Sequence, residues 1–493
     1  MNKNRIYRSI LVSLLIVMQT ARAQEHLIYE PGQMLADLKK FKNVLTKVHP
    51  GTFTHQTYQE FDQMVNVLKF QTSKPMQAKE FYKVILRLVA NLHDGHTQAY
   101  SFGKLGNIIN NQKRFPFQIY IKDERLFIVK NLSLQEIIEG SEILSINGNL
   151  SNEIIFEILE HYSSDGKSHN GMRHWLGGPY KPFYNIYPEI FGEQATYDLV
   201  YRDVETHKIA KTKVKSISKE DYKKRESIRY TTKATTEEAF SFDINKNDNY
   251  AYLKINRFFK TSYDEPENTY PIFYKQCFKE IAYKNIKNLI IDLRNNGGGK
   301  ASNAAYLLQY LVNQNFTPAK EITTMGDDKY FLNILGDSLN LNEPFGLKQK
   351  KDGTYKVTDH KLLRDLMNYA PIEEYQFKGK LIVLINGGTS SAAGIAAGLL
   401  KQYTNASLVG TETYGYAGIS NGIRQISVKG DHTEVAIYLP LLHAKYNINK
   451  HIQKRTVVPD YNVSSSIRDI VDGKDVILQF ALKNLLTTSN KNQ

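Results

Sequence analysis

Residues 381–403 read LIVLINGGTSSAAGIAAGLLKQY. The first five form an apolar run typical of a buried strand, and the residues from Ile395 to Gln402 have the pattern of a helix. Ser391 is therefore expected at a strand-to-helix corner, near the positive end of the helix dipole, where a nucleophilic hydroxyl or an oxyanion is favoured. The alternative is that these serines only cap the helix, because Ser and Thr satisfy free N–H groups at helix starts.

The same alternation of strands and helices extends to both sides of this corner. Apolar runs at Tyr250 to Ile255 and Leu289 to Leu293 have the length of strands, and residues 301–312 and 393–403 have the pattern of helices. The pattern predicts an α/β core over residues 216–485. Residues 486–493 are polar and are predicted to be a disordered tail.

Residues 24–108 have the spacing of helices instead. Apolar side chains recur every three or four positions in two stretches: Leu35, Leu38, Phe41, Val44, Leu45 and Val48, then Phe81, Val84, Ile85, Leu88, Val89 and Leu92. An N-terminal helical domain is predicted. The second stretch runs directly into a polar break, His93-Asp94-Gly95-His96-Thr97.

Residues 109–215 have strand-like runs at 116–121 and 126–129, joined by a polar turn. A further strand and an Asn147-Gly148 hairpin signal follow, then a helical stretch at 152–161 and a closing strand at 197–202. Residues 139–148 resemble the turn-and-strand signature of PDZ domains, which bind peptides along a sheet edge. This predicts a PDZ-like β-rich domain with an insertion at 163–195; the alternative is an ordinary β hairpin.

The N-terminus resembles a secretory signal peptide. Lys3, Arg5 and Arg8 precede an apolar run from Ile10 to Met18, and Ala21-Arg22-Ala23 fits a cleavage site after residue 23. The run is shorter than the roughly 20 residues that cross a bilayer, and no later segment reaches that length. We expect a mature protein without stable membrane insertion, periplasmic or secreted; an uncleaved anchor is the alternative.

The composition of the 493-residue chain limits the classes of binding partner that we expect. Its formal charge of +14 falls to +10 when the four basic residues of the signal are removed, and no dense basic block or nucleic-acid motif is present. We therefore expect no nucleic-acid partner. The single cysteine, Cys277, excludes an internal disulfide and is predicted to be buried.

Three short segments carry the candidate chemistry. Beside the Ser391 corner stand residues 290–299, IIDLRNNGGG, where glycines let backbone N–H groups approach a ligand closely, as an oxyanion hole requires. The third segment contains His96, whose imidazole is suited to take a proton from a serine hydroxyl. Taken alone, the glycines can simply end a strand and His96 can be a cap or core residue.

Together the segments resemble the carboxyl-terminal processing (tail-specific) protease family of serine peptidases. The family segment LDLRxNxGG matches residues 291–299, and its nucleophile segment (T/S)-x-S-A-x-E matches 389–394, which selects Ser391 over Ser390. The segments VGexTxG and V-x-PD match 409–415 and 457–460. This resemblance implies a ClpP/crotonase-like catalytic core and covers nearly the whole mature chain.

Departures from the family pattern narrow the choice of base. Tyr416 stands where one branch carries the lysine of a Ser/Lys dyad, so the chain is closer to the tricorn-core and interphotoreceptor-retinoid-binding branch, whose histidine matches His96. Gly394 replaces the glutamate that follows the nucleophile. Residues 451–456, HIQKRT, contain no acid where that branch places the group that orients its histidine, so the orienting group is undecided.

The resemblance implies an exported serine endopeptidase that acts on peptides or unfolded proteins without a cofactor. Ser391 would be the nucleophile, His96 the general base, and the backbone N–H groups of Ala392 and Gly298 the oxyanion hole. The first alternative is a catalytically silent peptide- or lipid-binding protein of the same fold. A metallohydrolase built on His93, Asp94 and His96 lacks a paired ligand motif, and an α/β-hydrolase requires Gly-x-Ser-x-Gly.

Overall fold

The computed structural model describes residues 27–178, 182–230, 238–260, 266, 269–335, 346–359, 363, 365–449 and 455–486. The predicted signal peptide, residues 1–23, lies outside these residues. So does the predicted tail of residues 486–493 except for Leu486, which is buried at the end of a helix and not disordered. Within the described ranges, every helix is too short or too polar to cross a membrane.

The first region is helical, as the apolar spacing predicts. Its elements are β1 (Ile28–Tyr29), α1 (Pro31–Lys47), α2 (Tyr58–Gln71), β2 (Met76–Gln77), α3 (Ala78–Ala90), β3 (Gln98–Ser101) and α4 (Gly103–Asn110). Nearly all the predicted apolar positions are buried; Leu35 is the exception, on the solvent side of α1. Helix α2 begins at a capping box, in which Thr57 and Glu60 satisfy each other's backbone N–H groups.

The second region is an antiparallel sheet with helices. Its elements are β4 (Phe117–Lys122), β5 (Arg125–Asn131), β6 (Glu142–Ile146), β7 (Asn149–Leu150), α5 (Ser151–Leu159), α6 (Asn170–Gly177), α7 (Phe183–Phe191), β8 (Thr196–Arg202), β9 (Ile209–Lys215) and α8 (Lys219–Arg229). The strand order is β4-β5-β6-β8-β9, with β7 paired to β6. The predicted Asn147-Gly148 hairpin forms, with both residues at positive φ, 51° and 84°.

The third region contains a mostly parallel sheet. Its elements are β10 (Phe240–Asn245), β11 (Tyr250–Ile255), α9 (Thr269–Tyr283), β12 (Asn288–Asp292), α10 (Ala301–Leu308), β13 (Ala319–Thr324), α11 (Asp328–Leu335), β14 (Gly346–Gln349), β15 (Tyr355–Asp359), β16 (Lys380–Ile385), α12 (Ala392–Tyr403), β17 (Ser407–Gly410), β18 (Ile419–Lys429), β19 (Val435–Tyr446), β20 (Tyr461–Asn462), α13 (Ile467–Val471), α14 (Val476–Phe480) and a π-helix (Ala481–Leu486).

The parallel sheet has the order β10-β11-β12-β16-β17-β20, with only β10 antiparallel. Apolar clusters cover both of its faces: α9, α10 and α12 pack on one, and α14 with the π-helix on the other. Burial on both faces explains why β12 and β16 read as continuous apolar runs. The mixed α/β fold is confirmed; α10 ends at Leu308, four residues before the predicted end. Cys277 is buried, as predicted.

A second sheet crosses the boundary between regions, and the sequence analysis did not predict it. Its order is β14-β15-β13-β19-β18, and β3 of the first region pairs antiparallel with β19. Ile437 lies opposite Ala99 in this pairing. Since β3 follows the polar break at 93–97 directly, the pairing fixes where this break lies relative to the core.

One apolar cluster joins the regions. It contains buried residues of α1 and α3, of β4, β5, β6 and β8, and of β19, among them Phe41, Phe117 and Leu439. The division of the chain at residues 108 and 215 stays a prediction, and the packing of hydrophobic side chains is continuous across both positions.

Candidate active site

Ser391 lies between β16 and α12, as the sequence predicts, in a strained backbone conformation. Its φ of 51° and ψ of −126° are rare for a residue with a side chain and resemble the sharp strand-to-helix turn that exposes nucleophilic serines. Neighbouring hydroxyls hold the corner in place: Thr389 Oγ1 donates to Leu293 O at 2.8 Å, and Ser390 Oγ donates to Gly297 O at 3.1 Å. Ser390 is thus occupied in the turn, whereas Ser391 lines a cavity.

His96 reaches this serine from the loop before β3. Its Nε2 lies 3.2 Å from Ser391 Oγ, although 295 positions separate the two residues. Gln425 Nε2 on β18 donates to His96 O at 2.8 Å and anchors the loop. Gly422 leaves room for the ring, because a Cβ atom there would lie 2.6 Å from His96 Cδ2.

Two carboxylates lie behind the imidazole. His96 Nδ1 is 3.7 Å from Asp165 Oδ1 and 3.8 Å from Asp94 Oδ1, distances of ion pairs and longer than hydrogen bonds. Asp165 is held in place by the backbone N–H of Gly95, which donates to its Oδ1 at 2.6 Å. Asp165 belongs to the interval predicted as an insertion, and the sequence analysis missed it; the only sequence signal is an Asp-Gly pair, the same dipeptide as Asp94-Gly95.

Asp94 is buried and fully engaged. Its Oδ2 accepts from His49 Nε2 at 2.8 Å and Thr97 Oγ1 at 2.7 Å, and its Oδ1 accepts from His96 N at 3.0 Å. The N–H of Gly51 donates to His49 Nδ1 at 2.9 Å, so the His49 proton is on Nε2. Burial alone raises the pKa of Asp94, but the hydrogen bond from His49, the charge of His96 and the hydrogen bond from Thr97 outweigh it and hold the pKa well below its usual range.

The charges around His96 favour its protonated form. Burial lowers the pKa of this imidazole, but the negative charges of Asp165 and Asp94 outweigh burial and raise it to about 9. Nδ1 has no hydrogen-bond partner among the described residues. It therefore interacts with the two carboxylates through charge.

The glycine turn lies directly against Ser391. Gly298 has φ 104°, and a Cβ atom there would lie 2.7 Å from Ser391 Cβ, so no other residue fits. The prediction that Gly298 N–H donates to an oxyanion does not match this conformation, because this N–H donates to Asn296 Oδ1 at 2.8 Å. Within the described residues, the backbone N–H groups of Gly299 and Ala392 have no such acceptor, and both residues line the cavity of Ser391.

This cavity measures about 340 Å³ and lies between the starts of α10 and α12 and the irregular part of β18. Apolar side chains form much of its wall: Ala301, Tyr306, Leu366, Ile395, Ile423 and Tyr446. Lys300, Asp365 and Arg424 add charge. The volume is sufficient for one large side chain of a bound peptide.

Tyr416, which stands where one branch of the resembled family has a lysine, makes packing contacts. Tyr416 packs against Gly166, where a Cβ atom would lie 2.2 Å from Tyr416 Cζ, and its ring centroid is 5.4 Å from that of His55. It therefore supports the loop that carries Asp165. In the stretch 451–456, where the related branch has its orienting acid, residues 451–454 lie outside the described ranges. The nearby Asp460 forms an ion pair with Lys401 at 2.7 Å.

Within the described residues, one group has the composition of a metal site, and it overlaps the serine site. Ligand atoms of Asp94, His96 and Asp165 lie within 4.8 Å of one another. The predicted alternative of His93, Asp94 and His96 is not this group; His93 lines a separate cavity of about 480 Å³ with Glu160 and His169.

Comparison with known sequences agrees with this geometry. Residues 249–463 match the model of Peptidase family S41. This S41 segment contains Ser391 and the glycine turn, whereas His96 and Asp165 lie outside the match. The site is therefore completed by residues from the first two regions of the chain.

Two curated relatives have names that agree with the S41 match. A "Carboxy-terminal-processing protease" of Bartonella bacilliformis is 23% identical over 227 residues, which are 46% of this chain and 42% of the relative. A "Carboxyl-terminal-processing protease" of Synechocystis sp. is 37% identical over 112 residues, which are 22% of this chain and 24% of the relative. The chain spans less than half the length of these relatives.

Solved structures extend the likeness in fold to nearly the whole chain. Mature CPAF has a TM-score of 0.59 at 16% identity and covers 94% of this chain and 98% of its own. Mature CPAF complexed with lactacystin has a TM-score of 0.62 at 15% identity, with 93% of this chain and 98% of its own covered. At these identities, the comparison supports the fold alone.

Proposed function

We propose that this chain is a serine endopeptidase that hydrolyses peptide bonds in peptides or unfolded proteins. The observation that carries the proposal is the 3.2 Å separation of Ser391 Oγ and His96 Nε2, with a carboxylate pair behind the imidazole. The S41 match and the names of the relatives support the reaction class. A hydrogen bond between a serine and a histidine would not by itself indicate the reaction class, because such contacts also occur in structural roles.

The mechanism uses His96 as the proton carrier. Ser391 Oγ attacks the peptide carbonyl while His96 Nε2 takes its proton. The imidazolium then gives this proton to the leaving amine, and the C–N bond breaks to leave an acyl-enzyme. A water molecule, deprotonated by the same nitrogen, attacks the ester and releases the new C-terminus.

Asp165 and Asp94 are proposed as positioning residues for His96. An imidazolium formed during attack would face both carboxylates through Nδ1, at 3.7 and 3.8 Å. Their charge stabilises the protonated intermediate, and their attachment to Gly95 N and to His49 limits rotation of the loop. Asp165 and Asp94 are thus the proposed groups that orient His96, which the sequence left undecided.

The oxyanion is proposed to bind Ala392 N–H and Gly299 N–H. Ala392 begins α12, so its N–H points out of the helix start, where the dipole favours negative charge. Gly299 replaces the predicted Gly298 because the Gly298 N–H is already donated to Asn296. Both donors are backbone N–H groups, so neither is removed when a side chain is substituted.

The remaining architecture fits a processing enzyme with a ClpP/crotonase-like core. The sheet of β4 to β9 is proposed to be a PDZ-like domain that receives the free C-terminus of the substrate by strand addition. We propose export to the periplasm or beyond, guided by residues 1–23; a native N-terminus at Gln24 would support it.

Substitution of the two reacting side chains tests the proposal. Ser391→Ala and His96→Ala should each abolish cleavage of an unfolded protein, and Ser391→Ala should abolish labelling by a fluorophosphonate. Ser390→Ala is the matched control and should retain labelling, since its hydroxyl is used within the turn. Peptide pairs that differ only in a free or amidated C-terminus should differ in KM if the PDZ-like domain binds tails.

Each alternative has a distinct outcome in this experiment. A wild-type chain that neither cleaves nor labels would be a silent binding protein of the same fold. Activity lost on dialysis against EDTA and restored by Zn²⁺ would favour a metal at Asp94, His96 and Asp165 over proton transfer by His96. Equal KM values for free and amidated peptides would remove tail recognition.

A further inference from the structure

We propose that His174 is a positioning residue for the proposed peptidase: through Asn295 it holds together the two turns that carry Ser391 and the oxyanion donors. This inference rests on the proposed function. His174 lies on α6, which belongs to the segment predicted as an insertion and stands outside the S41 match.

A direct hydrogen bond joins the second region to the third. His174 Nε2 lies 2.7 Å from Asn295 Oδ1, in the turn after β12. Asn386 Nδ2 donates to the same oxygen at 3.0 Å, so Oδ1 is the acceptor and His174 carries its proton on Nε2. Burial lowers the pKa of His174, which keeps the ring neutral and this tautomer available.

The hydrogen bonds continue from Asn295 into both turns. Asn386 Oδ1 accepts from the N–H groups of Asn295 and Gly388, each at 2.9 Å, which ties the turn after β12 to the turn before Ser391. The next residue, Asn296, accepts Ser390 N at its O and Gly298 N at its Oδ1. Only the His174 end of this network comes from outside the core.

The imidazole of His174 packs closely against the turn before Ser391. A Cβ atom on Gly387 would lie 2.7 Å from His174 Cβ, and one on Gly388 would lie 3.0 Å from His174 Nε2. The two glycines before Thr389 therefore leave the space that the imidazole fills. Asn295 adopts φ 59°, a left-handed conformation that asparagine tolerates and that directs its side chain locally.

Loss of this network should lower kcat more than it changes KM. A turn that drifts by a fraction of an ångström weakens contacts made only in the transition state, so kcat falls while substrate binding is little changed. The removal of one oxyanion donor costs about 10²- to 10³-fold in kcat. Loosening such donors without removing them should cost less, about tenfold.

The experiment compares two His174 variants of the full chain with a control. His174→Phe keeps the ring against the glycines without the donor and should lower kcat about tenfold with KM within about twofold. His174→Gln places an amide N–H near Nε2 and should restore most of this loss. Arg173→Ala, on the same helix but paired with Glu124 at 2.7 Å, is the control and should keep wild-type kcat.

Asn295→Gly supplies an independent readout, since glycine keeps the left-handed backbone and removes the acceptor. The double variant His174→Phe/Asn295→Gly should lose no more than the larger single loss, because both break one network. Additive losses, or a kcat of His174→Phe within twofold of wild type, would overturn the inference alone. A wild type no more active than Ser391→Ala would overturn the proposed function with it.

Discussion

At the scale of single residues, the environment of His96 sets the pH at which the proposed general base is neutral. Asp165 and Asp94 raise the pKa of His96 from 6.5 to about 9 against the opposing effect of burial. A general base must be neutral to accept a proton, so at pH 7 only about one molecule in a hundred has His96 in that form. The same shift stabilises the folded state fully below pH 6.5, and this contribution disappears as the pH rises through 9.

We therefore expect kcat/KM to rise with pH up to about 9 and then to level off. Asp165→Asn removes the leading cause of the raised pKa, so burial should move the midpoint to lower pH, while looser positioning lowers the plateau. Steady-state kinetics between pH 5.5 and 10 give both the midpoint and the plateau of the kcat/KM profile.

Asp198→Asn serves as the control for this profile, because Asp198 belongs to the same region and pairs at the surface with Lys213. Its midpoint should equal that of the wild type. A midpoint of Asp165→Asn that stays in place or moves to higher pH would show that Asp165 does not set the charge of His96.

At the scale of elements, the position of His96 depends on strands that are distant in sequence. Strand β3 pairs with β19, and the turn between β18 and β19 is held by a buried carboxylate of α1. Asp37 accepts from the backbone N–H groups of Asp431, His432 and Thr433 and from the Thr433 hydroxyl. Helix α1 thereby fixes the strand hairpin against which β3 and the His96 loop are placed.

Asp37→Ala should destabilise the fold by about 3 kcal/mol, because it leaves several buried N–H groups without an acceptor. Asp37→Asn should lose less, since one amide oxygen still accepts. The midpoint of thermal unfolding, followed by calorimetry, reports both variants.

Lys40→Ala is the matched control for this measurement. Lys40 lies on the same helix and contacts the same turn through Asp431, but the pair is exposed, with side chains 33% and 63% accessible. Its loss should change stability by less than about 1 kcal/mol. A larger effect of Lys40→Ala than of Asp37→Ala would contradict the role given to the buried carboxylate.

At the scale of the whole molecule, the three regions share structure. The apolar cluster of α1, β4 and β19 is continuous, and the second region supplies Asp165 and His174 to the candidate site, whose proposed nucleophile lies in the third. Trp175, the one tryptophan of the sequence, stacks on Tyr414 with ring centroids 4.2 Å apart, at the junction of the second and third regions.

We expect unfolding by urea to be a single transition in which Trp175 fluorescence and far-UV circular dichroism change together. A shared core makes separate unfolding of residues 109–215 costly, because it exposes apolar surface on the other regions. Fluorescence that changes at a clearly lower urea concentration than circular dichroism would mean that this region opens independently.

Local patterns in the sequence were sufficient for the elements that carry the site. The strand-to-helix corner of Ser391, the Asn147-Gly148 hairpin and the helices before His96 were predicted because periodicity and turn chemistry act over a few residues. Residue motifs also singled out Ser391 and His96, which the structure brings within 3.2 Å.

Only the tertiary structure decided which groups surround that pair. The pairing of β3 with β19 joins strands more than 300 positions apart, and local periodicity carries no information about such a partner. Asp165 and His174 lie in a stretch without a distinctive motif, and they come close to the candidate site only when that stretch packs against the core. The sequence by itself determined the serine, the histidine and the elements that hold them; long-range packing decided the carboxylates behind the histidine, because their proximity exists only in the folded chain.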